Sequence, residues 1–222
     1  MFYNAENLYD TKDNPDTNDD DFTPEGDLRW NDFRYWKKLH DISKVITSVG
    51  EGYPPALVGL CEIENDSVIF NLTKRAALQR HKYEYIITKS KDHRGSNIAL
   101  LYQRDQIRII SHKSYTPYFP SDPDRTTRDI LHVTGRVING QMLDIFVCHF
   151  PSRSEGIRKT RPYRVECASL LKRKTDSIFR IRKQPNIIVM GDFNDYPTDD
   201  SMVKALDARS IIEEINKGSL YN

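Results

Sequence analysis

No apolar run in this sequence approaches the roughly 20 residues needed to span a bilayer. Its start has no basic segment leading into an apolar centre and a small-residue cleavage site, so no signal peptide is visible. Cysteine is scarce. Cys61, Cys148 and Cys167 are far apart and odd in number, which argues against a disulfide scaffold, and they fit no zinc-site spacing. Each lies in an apolar run or on a helix face, where a buried free thiol is the expected state. Internal repeats, low-complexity stretches and a second domain boundary are missing too. Net charge is almost absent, +1 from 33 basic and 32 acidic residues, which speaks against strong DNA binding.

What remains is the composition of an ordinary soluble domain, 38% hydrophobic and 29% charged over 222 residues, enough for a substantial core. The charge is unevenly placed. Asp10 to Asp32 holds nine acidic residues against two basic, and Arg153 to Lys183 eleven basic against three acidic. The basic stretch either attracts a polyanion or forms the solvated face of a helix with a basic loop before it.

Phe2–Tyr3 reads as the end of a strand, followed by a polar loop to about Asp27. Asp16, Asn18 and Asp20 have calcium-loop spacing, but the sixth position, which needs glycine, is Asp21, so a surface loop is the reading. Apolar residues at Trp30, Phe33, Trp36, Leu39, Ile42, Val45, Ile46 and Val49 keep helical spacing, and Gly50 supplies a stop. Ala56–Cys61 is a buried strand and Ser67–Gln79 a second helix. Tyr83–Thr88, Asn97–Tyr102, Gln106–Ile110, Ile130–Ile138 and Met142–Cys148 are strands rich in branched residues. Pro162–Ile181 is a third, amphipathic helix, Ile187–Met190 a strand, and Ser201–Leu206 a short helix. Helices alternate with strands early and late around a meander of strands. Two packed sheets with helices on their outer faces satisfy that order within one domain, 1–222.

Polar residues repeatedly end the apolar strands. Ala56–Cys61 runs into Glu62, Asp144–Cys148 into His149, and Ile187–Met190 into Gly191-Asp192-Phe193-Asn194-Asp195. A sheet fixes such positions while the next loop leaves room for a ligand. The Glu62 carboxylate must be paired with a basic loop residue or bound to a cation, and Glu64 is expected to turn outward. Gly191 is read as permitting a tight turn after which Asp192 and Asn194 share one face. An acceptor and an amide there can position a water and hold a phosphate oxygen, although both residues also favour ordinary turns. His149 is either a satisfied structural residue or a phosphate contact beside Arg153, whose planar fork suits two oxygens. Ser152 is no nucleophile, since no Ser/His/Asp arrangement accompanies it. Asn4 and Glu6, two apart, share one side of an extended segment, Asn4 toward a phosphate oxygen and Glu6 toward a cation. Arg94, Asn97 and Arg128 are either anion contacts or plain surface residues.

In order, Asn4-Ala5-Glu6, the strand ending in Glu62, Gly95 to Leu101, the strand ending in His149, and Gly191-Asp192-Phe193-Asn194 resemble the endonuclease/exonuclease/phosphatase superfamily over nearly the whole chain. The wording from Tyr3 to Asp10, with the later Asp-Asp-Asp-Phe-Thr-Pro-Glu-Gly, is similar to a bacterial branch found in Bacteroides-like organisms, many of whose members are exported. The resemblance implies an α/β (α+β) four-layer αββα sandwich with the site at one end of the paired sheets. It implies Mg²⁺ or Mn²⁺ on Glu62 helped by Glu6, and Asp192 acting on the attacking water. Asn4 and Asn194 would hold the phosphate, His149 would stabilise developing charge, and Arg94, Arg128 and Arg153 would contact substrate phosphate. The partner is then a phosphate ester, nucleic acid included, taken by a monomer. Rival readings are a lipid or inositol headgroup phosphatase of the same fold and a non-catalytic binding module retaining it. The chain departs from the pattern twice. Asn97 stands where close relatives carry an acidic residue, and the closing Asp-His pair, or its Asp-Gln variant, is absent. The chain is therefore expected to lack the last strands and a few N-terminal residues.

Overall fold

Strand alternation sends successive side chains to opposite faces, and here both faces of both sheets are apolar, so each sheet must be covered twice. The computed structural model describes residues 1–50, 52–211 and 218–221. One sheet has the order β1-β2-β4-β3, from β1 (Phe2–Leu8), β2 (Leu57–Ile63), β3 (Glu84–Ile87) and β4 (Asn97–Tyr102). The other has the order β5-β6-β7-β8, from β5 (Ile107–Tyr115), β6 (Ile130–Val137), β7 (Met142–His149) and β8 (Ile187–Asp192). Pairing is antiparallel except between β1 and β2 and between β7 and β8. A two-residue pair, β9 (Ala208–Arg209) with β10 (Leu220–Tyr221), lies apart.

Between the sheets Cys61, Ile98 and Leu100 meet Leu131, Val133, Ile145 and Val147, all fully buried. The outer face of the first sheet takes Leu39, Ile42 and Ile46 of α1 (Asp32–Ser48) and Val68 and Ile69 of α2 (Asp66–Phe70). The outer face of the second takes Cys167, Ala168, Leu171 and Ile178 of α3 (Ile157–Ile181) against Phe146 and Cys148. This is the four-layer αββα sandwich expected from the sequence. The three cysteines are buried and free.

Local chemistry shifts several boundaries. Asn31 caps α1 by accepting the Arg34 N–H at 3.1 Å. The second helix is not continuous to Gln79. Thr73 Oγ1 bonds back to the Ile69 carbonyl at 2.8 Å, Asn71–Arg75 widens into a π turn, and Ala76 is extended before a 3₁₀ turn, Ala77–His81. That break carries Leu78 into the core, off the stripe a continuous helix would present. The third helix begins at Ile157 rather than Pro162. A proline there forfeits one backbone bond, and Arg164 reaches back to the nearby Ile157 carbonyl. β5 extends to Tyr115 through Ser111-His112-Lys113-Ser114, an exposed edge with no alternating pattern to read.

Candidate active site

Four strand ends converge. β1 and β2 run parallel with Asn4 opposite Cys61, and β7 and β8 run parallel with His149 opposite Asp192. The side-chain amide of Asn4 donates to Glu62 Oε1 at 3.3 Å and to Asp192 Oδ2 at 3.2 Å. His149 Nε2 lies 3.8 Å from Glu62 Oε1 and 4.0 Å from Asp192 Oδ2. One amide and one imidazole thus straddle two carboxylates contributed by different sheets. Glu62 breaks the β2–β4 register and stands at φ 61°, left-handed backbone that a residue with a Cβ rarely adopts. Glu6, Asn7 and Asn194 share that region at φ 51°, 61° and 51°. Such strain persists where the surroundings over-determine it; here the Asn7 N–H donates to Glu62 Oε2 at 2.8 Å.

His149 is buried, and that burial, with the charges of Arg128 and Arg94, pushes its pKa down to about 2. The ring is neutral at any physiological pH. Nε2 faces two carboxylates, which places the proton there, and Nδ1 is buried with no partner among the described residues.

The Gly-Asp-Phe-Asn segment departs from its reading in one respect. Gly191 is not the turn. It is the last strand residue before Asp192, and a Cβ on it would lie 2.3 Å from the Cys148 carbonyl oxygen. The glycine is needed for close approach of β7 and β8, while the left-handed turn falls on Asn194. That residue's N–H donates to Asp192 Oδ1 at 3.0 Å, and its side-chain amide donates to the Phe150 carbonyl at 3.0 Å, its second amide hydrogen meeting no acceptor among the described residues.

The three arginines differ. Arg128 is no surface residue: it is buried, donating to Asp92 Oδ2 at 3.3 Å and the Phe150 carbonyl at 2.8 Å, with no partner for its Nε among the described residues. Arg94 is partly exposed, its Nε 3.6 Å from Asp92 Oδ1. Arg153 is bound to the Asn194 carbonyl at 2.6 Å, to Asp195 at 3.0 Å and to Asp199 at 2.8 Å, so it braces the loop that carries Asn194. Glu6 is not drawn in. Its left-handed backbone ends the extended segment that would have set it beside Asn4, and its exposed side chain makes no hydrogen bond or ion pair among the described residues. Asn97 is buried and holds the Glu64 and Gly95 carbonyls. Glu64 turns inward, contrary to expectation, because the bulge at Glu62 resets the alternation. It accepts the Asp10 N–H at 2.6 Å and the Asn65 amide at 2.9 Å, and burial, more than the nearby Asp10 and Asp19 charges, raises its pKa to about 7.

Sequence reasoning missed Asp92, Asn7, Asp195 and Arg164. Arg164, counted in a solvated basic stretch, is fully buried, donating to Asp195 at 2.7 Å and Thr160 Oγ1 at 2.7 Å. A signal existed, since it lies on the helix stripe with Ala168 and Leu171. Asp92 sits in a polar loop that gives none.

Among the described residues no three His, Cys, Asp or Glu side chains form a ready metal-ligand group. The oxygen-rich pair Glu62 and Asp192 nevertheless suits a hard cation such as Mg²⁺, which typically takes one or two carboxylates and completes its shell with water and substrate oxygens. An open cleft of about 510 Å³ lies against Asp192 and Asn194. No helix among the described residues is long and apolar enough to cross a membrane.

Residues 1–222 match the model of the endonuclease/exonuclease/phosphatase family. No curated protein matches the chain. Several solved structures share its fold. The human Nocturnin catalytic domain with bound sulfate is 19% identical with a TM-score of 0.59, over 75% of this chain and 59% of its own. TDP2 from D. rerio complexed with a single-strand DNA product is 16% identical with a TM-score of 0.53, over 75% and 56%. A mannosyl-6-phosphatase from Bacteroides thetaiotaomicron is 18% identical with a TM-score of 0.57, over 77% and 61%. The chain therefore spans less than two thirds of each.

Proposed function

The chain belongs to the endonuclease/exonuclease/phosphatase family, and from that premise we propose that it hydrolyses a phosphate ester, a phosphodiester or a phosphomonoester, by attack of an activated water. The observation that carries this reading is the Asn4 amide held between the Glu62 and Asp192 carboxylates beside a neutral His149. Glu62, with both oxygens fixed from β1, is the residue that would hold Mg²⁺ or Mn²⁺; when bound, the ion neutralises charge on the phosphoryl oxygen. Asp192 is oriented by the Asn194 N–H and Asn4, and accepts the proton of the attacking water. The second amide hydrogen of Asn194 donates to a non-bridging oxygen, while the Asn4 amide keeps both of its hydrogens on the two carboxylates and holds them in place. His149 donates from Nε2 to charge developing in the transition state, and because it is neutral it does so as a hydrogen-bond donor rather than as a cation. Arg128 and Arg94 supply positive potential at this end of the sandwich, and Arg153 holds the Asn194 loop in place.

The test is turnover of bis(p-nitrophenyl) phosphate and p-nitrophenyl phosphate by the purified chain, with Mg²⁺ and with EDTA. Hydrolysis that needs Mg²⁺ and is lost in Glu62→Gln, together with weakened Mg²⁺ binding by calorimetry, is expected. Unchanged Mg²⁺ affinity in that variant would overturn the metal assignment, and absence of turnover on either ester would overturn the hydrolase.

A further inference from the structure

The cleft against the reacting carboxylate is walled by aromatic side chains, Phe2, Phe193 and Tyr196, beside Asp192, Asn194 and Arg153. Tyr196 differs from the other two: it is 66% exposed, although only three residues separate it from Asp192. It is nonetheless held. The Arg153 guanidinium carbon lies 4.7 Å from the ring centre, and the Tyr196 N–H donates to Asp199 Oδ2 at 2.8 Å. Arg153 is itself fixed by Asn194, Asp195 and Asp199. A large apolar ring kept in water on a braced support loses little entropy when a flat ligand covers it.

We propose that Tyr196 is a stacking platform for a nucleobase attached to the scissile phosphate, so that the substrate class is a nucleotide ester or a short single strand. The assignment rests on the hydrolase reading and deepens it. Duplex nucleic acid is disfavoured because Arg153, the one basic side chain among the described residues lining this cleft, is spent on Asp195 and Asp199. Few cations are left to track a phosphate backbone, so affinity must come from the base. A sugar ring is the weaker fit. Its C–H groups seek an electron-rich face, and the Arg153 cation already draws on the π density of this ring, whereas a base stacks through dispersion over its whole face.

The experiment compares the thymidylate tetranucleotide with a tetranucleotide of the same backbone in which every base is removed. Wild type, Tyr196→Phe and Tyr196→Ala are each measured by kcat/KM with Mg²⁺ and by calorimetric binding in an Asp192→Asn background. The preference for the base-bearing strand should fall roughly tenfold in Tyr196→Ala and return in Tyr196→Phe, the range expected for one base–aromatic stack. An equal preference in all three proteins, no binding of either strand, or a Tyr196→Ala defect confined to a hexose phosphate would overturn the platform. Base-dependent binding through Tyr196 without turnover would uphold it and refute the hydrolase; turnover indifferent to Tyr196 would do the reverse.

Discussion

Glu64→Gln should remove most of one particular pH dependence of stability. Glu64 is 5% exposed and its carboxyl is held near a pKa of about 7, chiefly by burial and then by Asp10 and Asp19, although the Asp10 N–H and the Asn65 amide both favour the ionised form. In the unfolded chain the same group titrates near its ordinary value of 4.5. A raised carboxyl contributes stability that is complete below pH 4.5 and is lost as pH rises through 7, because the unfolded chain then ionises more readily than the folded one. At about 1.4 kcal/mol per pKa unit, the separation corresponds to a loss of about 3 kcal/mol between pH 4.5 and 8. Glutamine has nearly the same shape and cannot ionise, so the variant should lose none of it. Urea unfolding of both proteins at pH 4.5, 6, 7 and 8 provides the measurement, and taking the difference cancels every other titrating group. Parallel profiles would show that Glu64 is not held protonated and that its burial is compensated by groups other than those named.

Asp192→Asn and His149→Ala should each lower kcat and kcat/KM together, by roughly 10²–10³-fold, as expected for groups acting in the transition state; a rise in KM alone would demote the residue to a binding contact. The pH–kcat profile should show no limb near 6.5 from His149, since its pKa of about 2 keeps it neutral from pH 4 upward, and a wild-type limb there that disappears in His149→Ala would contradict the burial argument. Gly191→Ala must push β8 away from the Cys148 carbonyl, destabilising by about 1–3 kcal/mol and moving Asp192, so activity should fall even where thermal melting shows the protein folded. Arg164→Met should cost about 3 kcal/mol in denaturant unfolding, at the low end for a broken buried pair because Arg153 still satisfies Asp195; a change under about 1 kcal/mol would show that the pair is not desolvated.

The apolar periods of α1 and the strands, and the polar residues that end β2, β7 and β8, were legible because hydrophobic spacing and strand termination are local properties of the chain. They set the layers, and they singled out Glu62, His149 and Asp192 before any contact was known. What local pattern could not carry was direction. The bulge at Glu62 exchanges the faces of the residues after it, so Glu64, read as outward, is buried, and the left-handed backbone of Glu6 itself leaves that residue, read as a partner, in solvent. Gly191 looks like a turn glycine until β7 lies beside it, when its function becomes close approach to Cys148. Arg128, Arg153 and Arg164 are indistinguishable as charges in sequence, yet the buried carboxylates Asp92 and Asp195 claim them through contacts 31 to 42 residues apart. Charge pairing inside a sandwich depends on which loops the two sheets bring together, and only the assembled tertiary structure decides that.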